Sequence, residues 1–208
     1  MNLQLVMERM LRARLVAFAS LAIALVTGCG RNATPPASAG GQRRGDPTQR
    51  NDAAKALFEK ASREYHIPSA EATGQGRRRL EEQAAVLYSD LVRNYPDQQG
   101  WASQALRSLA NIRAAQTNVT EAVKLYSQVA DRFPNQDFEV LMAWKSAADL
   151  LFDSGRQMEG KVFYQRIIAR FDQPDALPIV QSVVRGSKAR LQGELLLSRN
   201  GERLEHER

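Results

Sequence analysis

The stretch Leu87-Tyr88-Ser89-Asp90-Leu91-Val92-Arg93-Asn94-Tyr95-Pro96-Asp97 decides the fold, because two more copies of it follow. They are Leu125-Tyr126-Ser127-Gln128-Val129-Ala130-Asp131-Arg132-Phe133-Pro134-Asn135 and Phe163-Tyr164-Gln165-Arg166-Ile167-Ile168-Ala169-Arg170-Phe171-Asp172-Gln173. Each joins an apolar residue to Tyr, then adds two aliphatics, a basic residue and an aromatic, and the first two close on Pro. Tyr88, Tyr126 and Tyr164 are evenly spaced. Their interval falls within the roughly 20–50 residues that mark a stacked array of supersecondary units, none of which buries its apolar face alone.

Working outward from the copies, the apolar spacing predicts helices over 101–116 and 119–133 around Thr117-Asn118, and over 138–154 and 156–171 around Gly155. A further helix is expected over 77–94. Antiparallel helices need small residues where they approach most closely. Ala110 with Ala122, and Ala148 with Gly160, supply them at the same period.

On these residues the chain resembles the tetratricopeptide repeat, a helical hairpin of about 34 residues. Leu109, Ala110, Ala122 and Tyr126 fall on its hallmark places, as do Trp144, Ala148, Gly155, Gly160 and Tyr164 in the next copy. Leu106, Arg113, Ala147 and Asp172 depart from the pattern. The resemblance implies an all-α, right-handed α-solenoid of antiparallel hairpins over residues 52–198.

It also implies that the first helix of each hairpin lines a concave peptide-binding groove. The candidates there are Gln104, Arg107, Asn111, Met142, Lys145, Asp149 and Phe152. Arg107 and Asn111 match a basic-then-Asn pair of the carboxylate-clamp members, but Ser146, Val180 and Val184 occupy the other clamp positions. A looser groove is expected, with Arg107 and Lys145 drawing acidic side chains and Met142 and Phe152 as apolar anchors. The competing reading has these as solvated helix residues with Phe152 turned inward.

The two ends of the array are less regular. Asp52 is the expected first cap, with Leu57, Phe58 and Tyr65 on one stripe, Ile67-Pro68 as the stop, and a loop over 69–76. After Pro174 and Pro178 a helix over 179–198 is expected to close the stack. Gly186 there keeps the period, following Ala148 at the interval by which Ala148 follows Ala110. The tail 199–208 is expected to fray.

Before the array, Arg9, Arg12 and Arg14 precede an apolar run over 15–26, about half the roughly 20 residues that a bilayer span needs. The run ends in Val26-Thr27-Gly28-Cys29, which resembles the lipobox of bacterial lipoproteins. Residues 1–28 then read as a signal peptide cleaved at Val26, Thr27 and Gly28, with Cys29 as the lipidated first residue. Gly30 in place of Asp points to an outer membrane, or to the plasma membrane of a host with only one. Residues 29–51 are almost without large apolar groups, so they read as a flexible tether reaching roughly 25 Å.

Chemistry is sparse. Cys29 is the single cysteine and His66 and His206 are the only histidines, so neither a disulfide nor a zinc knuckle on cysteines is available. No phosphate-binding glycine loop and no nucleophile with a general base appears. No cofactor, no metal and no enzymatic activity is expected, and no nucleic acid despite a net charge of +6. Signal, tether and repeats are together similar to the outer-membrane lipoproteins of the BamD type. That resemblance implies a membrane-anchored scaffold for protein or peptide partners in the envelope, in outer-membrane assembly. The alternatives are a cell-wall or division adaptor that recruits a peptidoglycan enzyme, and a structural lipoprotein.

Overall fold

The structure, a computed structural model, describes residues 46–206, with side chains as far as residue 193. The signal peptide, Cys29, the tether up to residue 45 and residues 207–208 lie outside the described residues. Within them the chain is all helix: α1 (Pro47–Lys60), α2 (Gly74–Asn94), α3 (Gln99–Ala115), α4 (Val119–Arg132), α5 (Asp137–Asp153), α6 (Gln157–Phe171) and α7 (Pro178–His206). α3 with α4 and α5 with α6 form hairpins that stack in order, which makes the chain an α-solenoid.

The period in the sequence is a period in the core. Leu91, Val129 and Ile167 are fully buried, and Tyr88, Tyr126 and Tyr164 nearly so. Burying one such aliphatic side chain contributes about 1.5–3 kcal/mol. Ala110, Ala122 and Ala148 have no exposed surface, as the close approach of paired helices demands.

Each turn within a hairpin is closed in the same way. Thr117 (φ 62°) and Gly155 (φ 80°) take the left-handed conformation that ends a helix. The Asn118 N–H then reaches back to the Arg113 carbonyl (2.9 Å), and the Arg156 N–H to that of Leu151 (2.8 Å). Between hairpins, Tyr95-Pro96-Asp97-Gln98 and Phe133-Pro134-Asn135-Gln136 make matching turns. In them Gln98 N–H donates to Tyr95 (3.1 Å) and Gln136 N–H to Phe133 (3.0 Å), with Pro at the position that its fixed φ suits.

Three boundaries differ from expectation. α1 starts at Pro47 rather than Asp52, because Asp46 accepts from Thr48 N–H (3.2 Å) and Pro47 is a ready first residue. Tertiary contacts hold this polar turn. Arg50 binds Asp97 (2.5 Å) and the Asn94 carbonyl (3.0 Å), and Trp101 Nε1 donates to Asn51 (3.0 Å). Arg50 keeps the Asp97 carboxyl well below the usual carboxylate range.

The expected loop over 69–76 is shorter. α1 continues through a π-helical stretch, Ala61–His66, into a last turn, Ile67–Ser69, and α2 begins at Gly74. The π stretch is marked by the Ile67 N–H donating to Ser62, five residues back.

α7 shifts its register. Gly186 is exposed, with nothing within 4 Å of where a Cβ would sit, whereas Val183 and Ser187 are buried. Val180, Val183, Ser187 and Leu191 take the places that Val140, Ala143, Ala147 and Leu151 hold in α5. They come two positions later than the tyrosine period would put them, because the connection before α7 lacks the turn proline and is longer by that much. Lys188 thereby stands where Ala148 admits a second helix, and it binds Asp172 (2.6 Å). α7 also runs to His206, beyond the expected end at residue 198.

Candidate functional site

The backbones of successive first helices approach closely, α1 with α3, α3 with α5 and α5 with α7, whereas among the described residues those of α2 and α4, and of α4 and α6, stay farther apart. The first helices therefore line the inner side of the curve and the second helices its outer side.

The floor of the inner face is a ladder of tyrosine hydroxyls. Tyr126 donates to Asn111 Oδ1 (2.6 Å) and Tyr164 to Asp149 Oδ1 (2.5 Å), two acceptors one period apart. Tyr88 meets His66 Nδ1 (3.2 Å) in the π stretch instead. Ser62 and Ser108 also face Tyr88, and Ser146 faces Tyr126, so these hydroxyls sit between two first helices. Burial pushes Tyr88 up to about 12 and raises Tyr126 and Tyr164 too, with the Asp149 carboxylate adding at Tyr164. All three hydroxyls are neutral at physiological pH. Burial, and then the Arg107 charge, lowers His66 to about 4, so it is neutral as well.

The seven positions named from sequence are all half-buried, four on α5 and three on α3. Their chemistry differs from the expectation. Arg107 Nε binds Glu139 Oε2 (2.5 Å), and Glu139 is itself buried. Lys145 Nζ binds Asp149 Oδ2 (2.5 Å). Both cations are thus balanced from within, and Asn111 and Asp149 are committed to tyrosines. Phe152 is not a free anchor: its ring lies 5.2 Å from that of Tyr164 and covers Gly160. Gln104 and Met142 remain as the positions without such a partner among the described residues.

Sequence reasoning missed Glu139, because an acid in the first turn of a helix is ordinary for its dipole alone. It also missed Arg170, which reaches Asp137 at the start of its own hairpin (2.6 Å) and the Pro134 carbonyl in the connection before it (2.5 Å). Arg132, one period earlier, reaches back to the Val92 carbonyl of the preceding hairpin (3.3 Å). Their common place in the repeat is the signal that could have found them.

The tetratricopeptide repeat family model matches residues 104–135, which take in most of α3, all of α4 and the turn that follows. The chain carries a tetratricopeptide repeat. The α5–α6 hairpin reproduces the geometry of that repeat one period later, with the same turn between its helices and the same tyrosine bond. Searches of curated proteins and of solved structures returned no match. Tetratricopeptide repeats mediate contacts between proteins, and the repeat at residues 104–135 supports a protein partner. Among the described residues no group of three or more His, Cys, Asp or Glu could hold a metal ion. No described helix is long and apolar enough to cross a membrane.

Proposed function

We propose that the chain is a protein-binding scaffold of a bacterial envelope, tethered by lipid at Cys29, that takes partner segments along the inner face of α3 and α5. The tetratricopeptide hairpin at residues 104–135 carries this reading, since such hairpins present their first helices to partners. The rigid floor supports it. Tyr126 and Tyr164 lock α3 and α5 from beneath, so the surface is formed before a partner arrives and less ordering is needed on binding. Its charges being balanced, affinity there rests on shape and on groups such as Gln104 and Met142 rather than on bulk attraction.

The anchor rests on the sequence Val26-Thr27-Gly28-Cys29 after a short apolar run, and Gly30 favours the outer membrane. Diacylation plus a further acyl chain, at about 0.8 kcal/mol per buried methylene, would hold it there stably. Outer-membrane assembly is the setting this supports, by resemblance to lipoproteins of the BamD type. Catalysis has no part in it.

Crosslinking in intact cells followed by mass spectrometry tests the scaffold. Barrel proteins and their insertase are the expected partners; wall hydrolases or synthases would move it to a cell-wall or division adaptor, and no protein partner would refute it. Labelled palmitate should enter the parent and be lost in Cys29→Ser, and equal labelling of both would refute the anchor.

A further inference from the structure

The N-terminal edge of the array holds a cleft of about 420 Å³ between the end of α1, the π stretch and α2. Its floor is apolar: Tyr65 from the π stretch, and Val86 and Leu87 from α2. Val86 is 53% exposed, an unusual place for a large aliphatic residue on a helix whose neighbours are Gln83 and Asp90. Lys60 and Arg79 stand at the rim, and neither side chain has a hydrogen bond or ion pair to another described residue. Glu82, the one carboxylate lining the cleft among the described residues, is held by Arg113 (3.0 Å) from α3.

This balance is the reverse of the inner face. There Arg107 and Lys145 carry their own counter-ions, whereas here two cations flank an apolar floor without any. We propose that this cleft docks a carboxylate-bearing aliphatic segment of a partner protein, its apolar side chains on Tyr65, Val86 and Leu87 and its carboxylates on Lys60 and Arg79. This rests on the scaffold reading and adds a second contact outside the inner face.

Charge argues against the other occupants. The opposite end of the array, α7, presents Arg185 and Arg190, so a second copy stacked end to end would set like charges against the rim. The tether that precedes α1 carries Arg31, Arg43 and Arg44 against Asp46 alone, and it is repelled in the same way. An acidic, aliphatic segment meets neither obstacle.

The test uses the full chain and a short fluorescein-labelled peptide of Leu and Glu, beside the same peptide with Lys in place of Glu. The Glu peptide should bind, and amide shifts should move at Tyr65, Val86 and Leu87. Lys60→Glu with Arg79→Glu, and separately Val86→Asp, should each weaken it about tenfold or more. These side chains lie at the surface, and circular dichroism checks that the variants fold. The proposal is overturned by equal binding of the Lys peptide, by variants that bind as the parent does, or by no binding of the Glu peptide at about 1 mM. Self-association that Val86→Asp abolishes would make a second copy the occupant and overturn it too. A partner crosslinked to α3 and α5 in the cleft variants as in the parent would remove the cleft while leaving the scaffold intact.

Discussion

Phe152 covers Gly160: a Cβ built on the glycine would lie 2.7 Å from the ring's Cε2 and 3.1 Å from the Ala148 carbonyl oxygen. One repeat earlier the same two places hold Ala114 and Ala122. The hairpins thus fill one space in two ways, large against nothing and small against small. Gly160→Ala should destabilise by about 1–2 kcal/mol through overpacking. With Phe152→Ala already in place it should instead stabilise, because the clash is gone and Ala outranks Gly in a helix by about 1 kcal/mol. Urea melts of the four proteins give the cycle, and an effect of Gly160→Ala that keeps its sign contradicts this packing.

Thr117 holds φ 62° where the next hairpin uses Gly155 at 80°. A β-branched residue in that conformation is strained. Thr117→Gly should raise stability by about 0.5–1 kcal/mol, and Gly155→Thr should lower it by about 1–2 kcal/mol. Thermal melts that leave both variants at the parent value would show the turns to be built otherwise.

His66 ties stability to pH. Its folded pKa is lowered from 6.5 to about 4, first by burial and then by Arg107. The unfolded chain therefore binds a proton that the folded one refuses between those values. The contribution is fully present above pH 6.5 and is lost as pH falls toward 4, by up to about 3 kcal/mol. Denaturant midpoints across that window should show the slope in the parent and a flatter line in His66→Asn, which cannot titrate. An equal slope in both would place the proton elsewhere.

How far the chain could be read in advance varies along it. Where the period is strict, the four central helices fall within a residue or two of their expected spans, because Tyr126, Ala122 and Gly160 serve the same packing need in each copy. At the ends, long-range contacts decide. The first turn of α1 has no apolar stripe, and it is helical because Arg50 and Asn51 have partners at Asp97 and Trp101. Gly74 and Gly76 read as a loop yet open α2. The longer connection before α7 was enough to turn Gly186 outward. The seven groove candidates are half-buried on α3 and α5, but spacing alone does not show that Arg107 already has Glu139 as a partner.

Partners are expected on the face built by α3 and α5. A photo-crosslinking residue placed at Met142 on that face, and separately at Met158 on the outer side of α6, which is 74% exposed, tests it in intact cells. A discrete adduct with a protein of the envelope from Met142 and none from Met158 is the predicted result. Adducts from Met158 alone, or none from Met142 in a folded, correctly located protein, would contradict it.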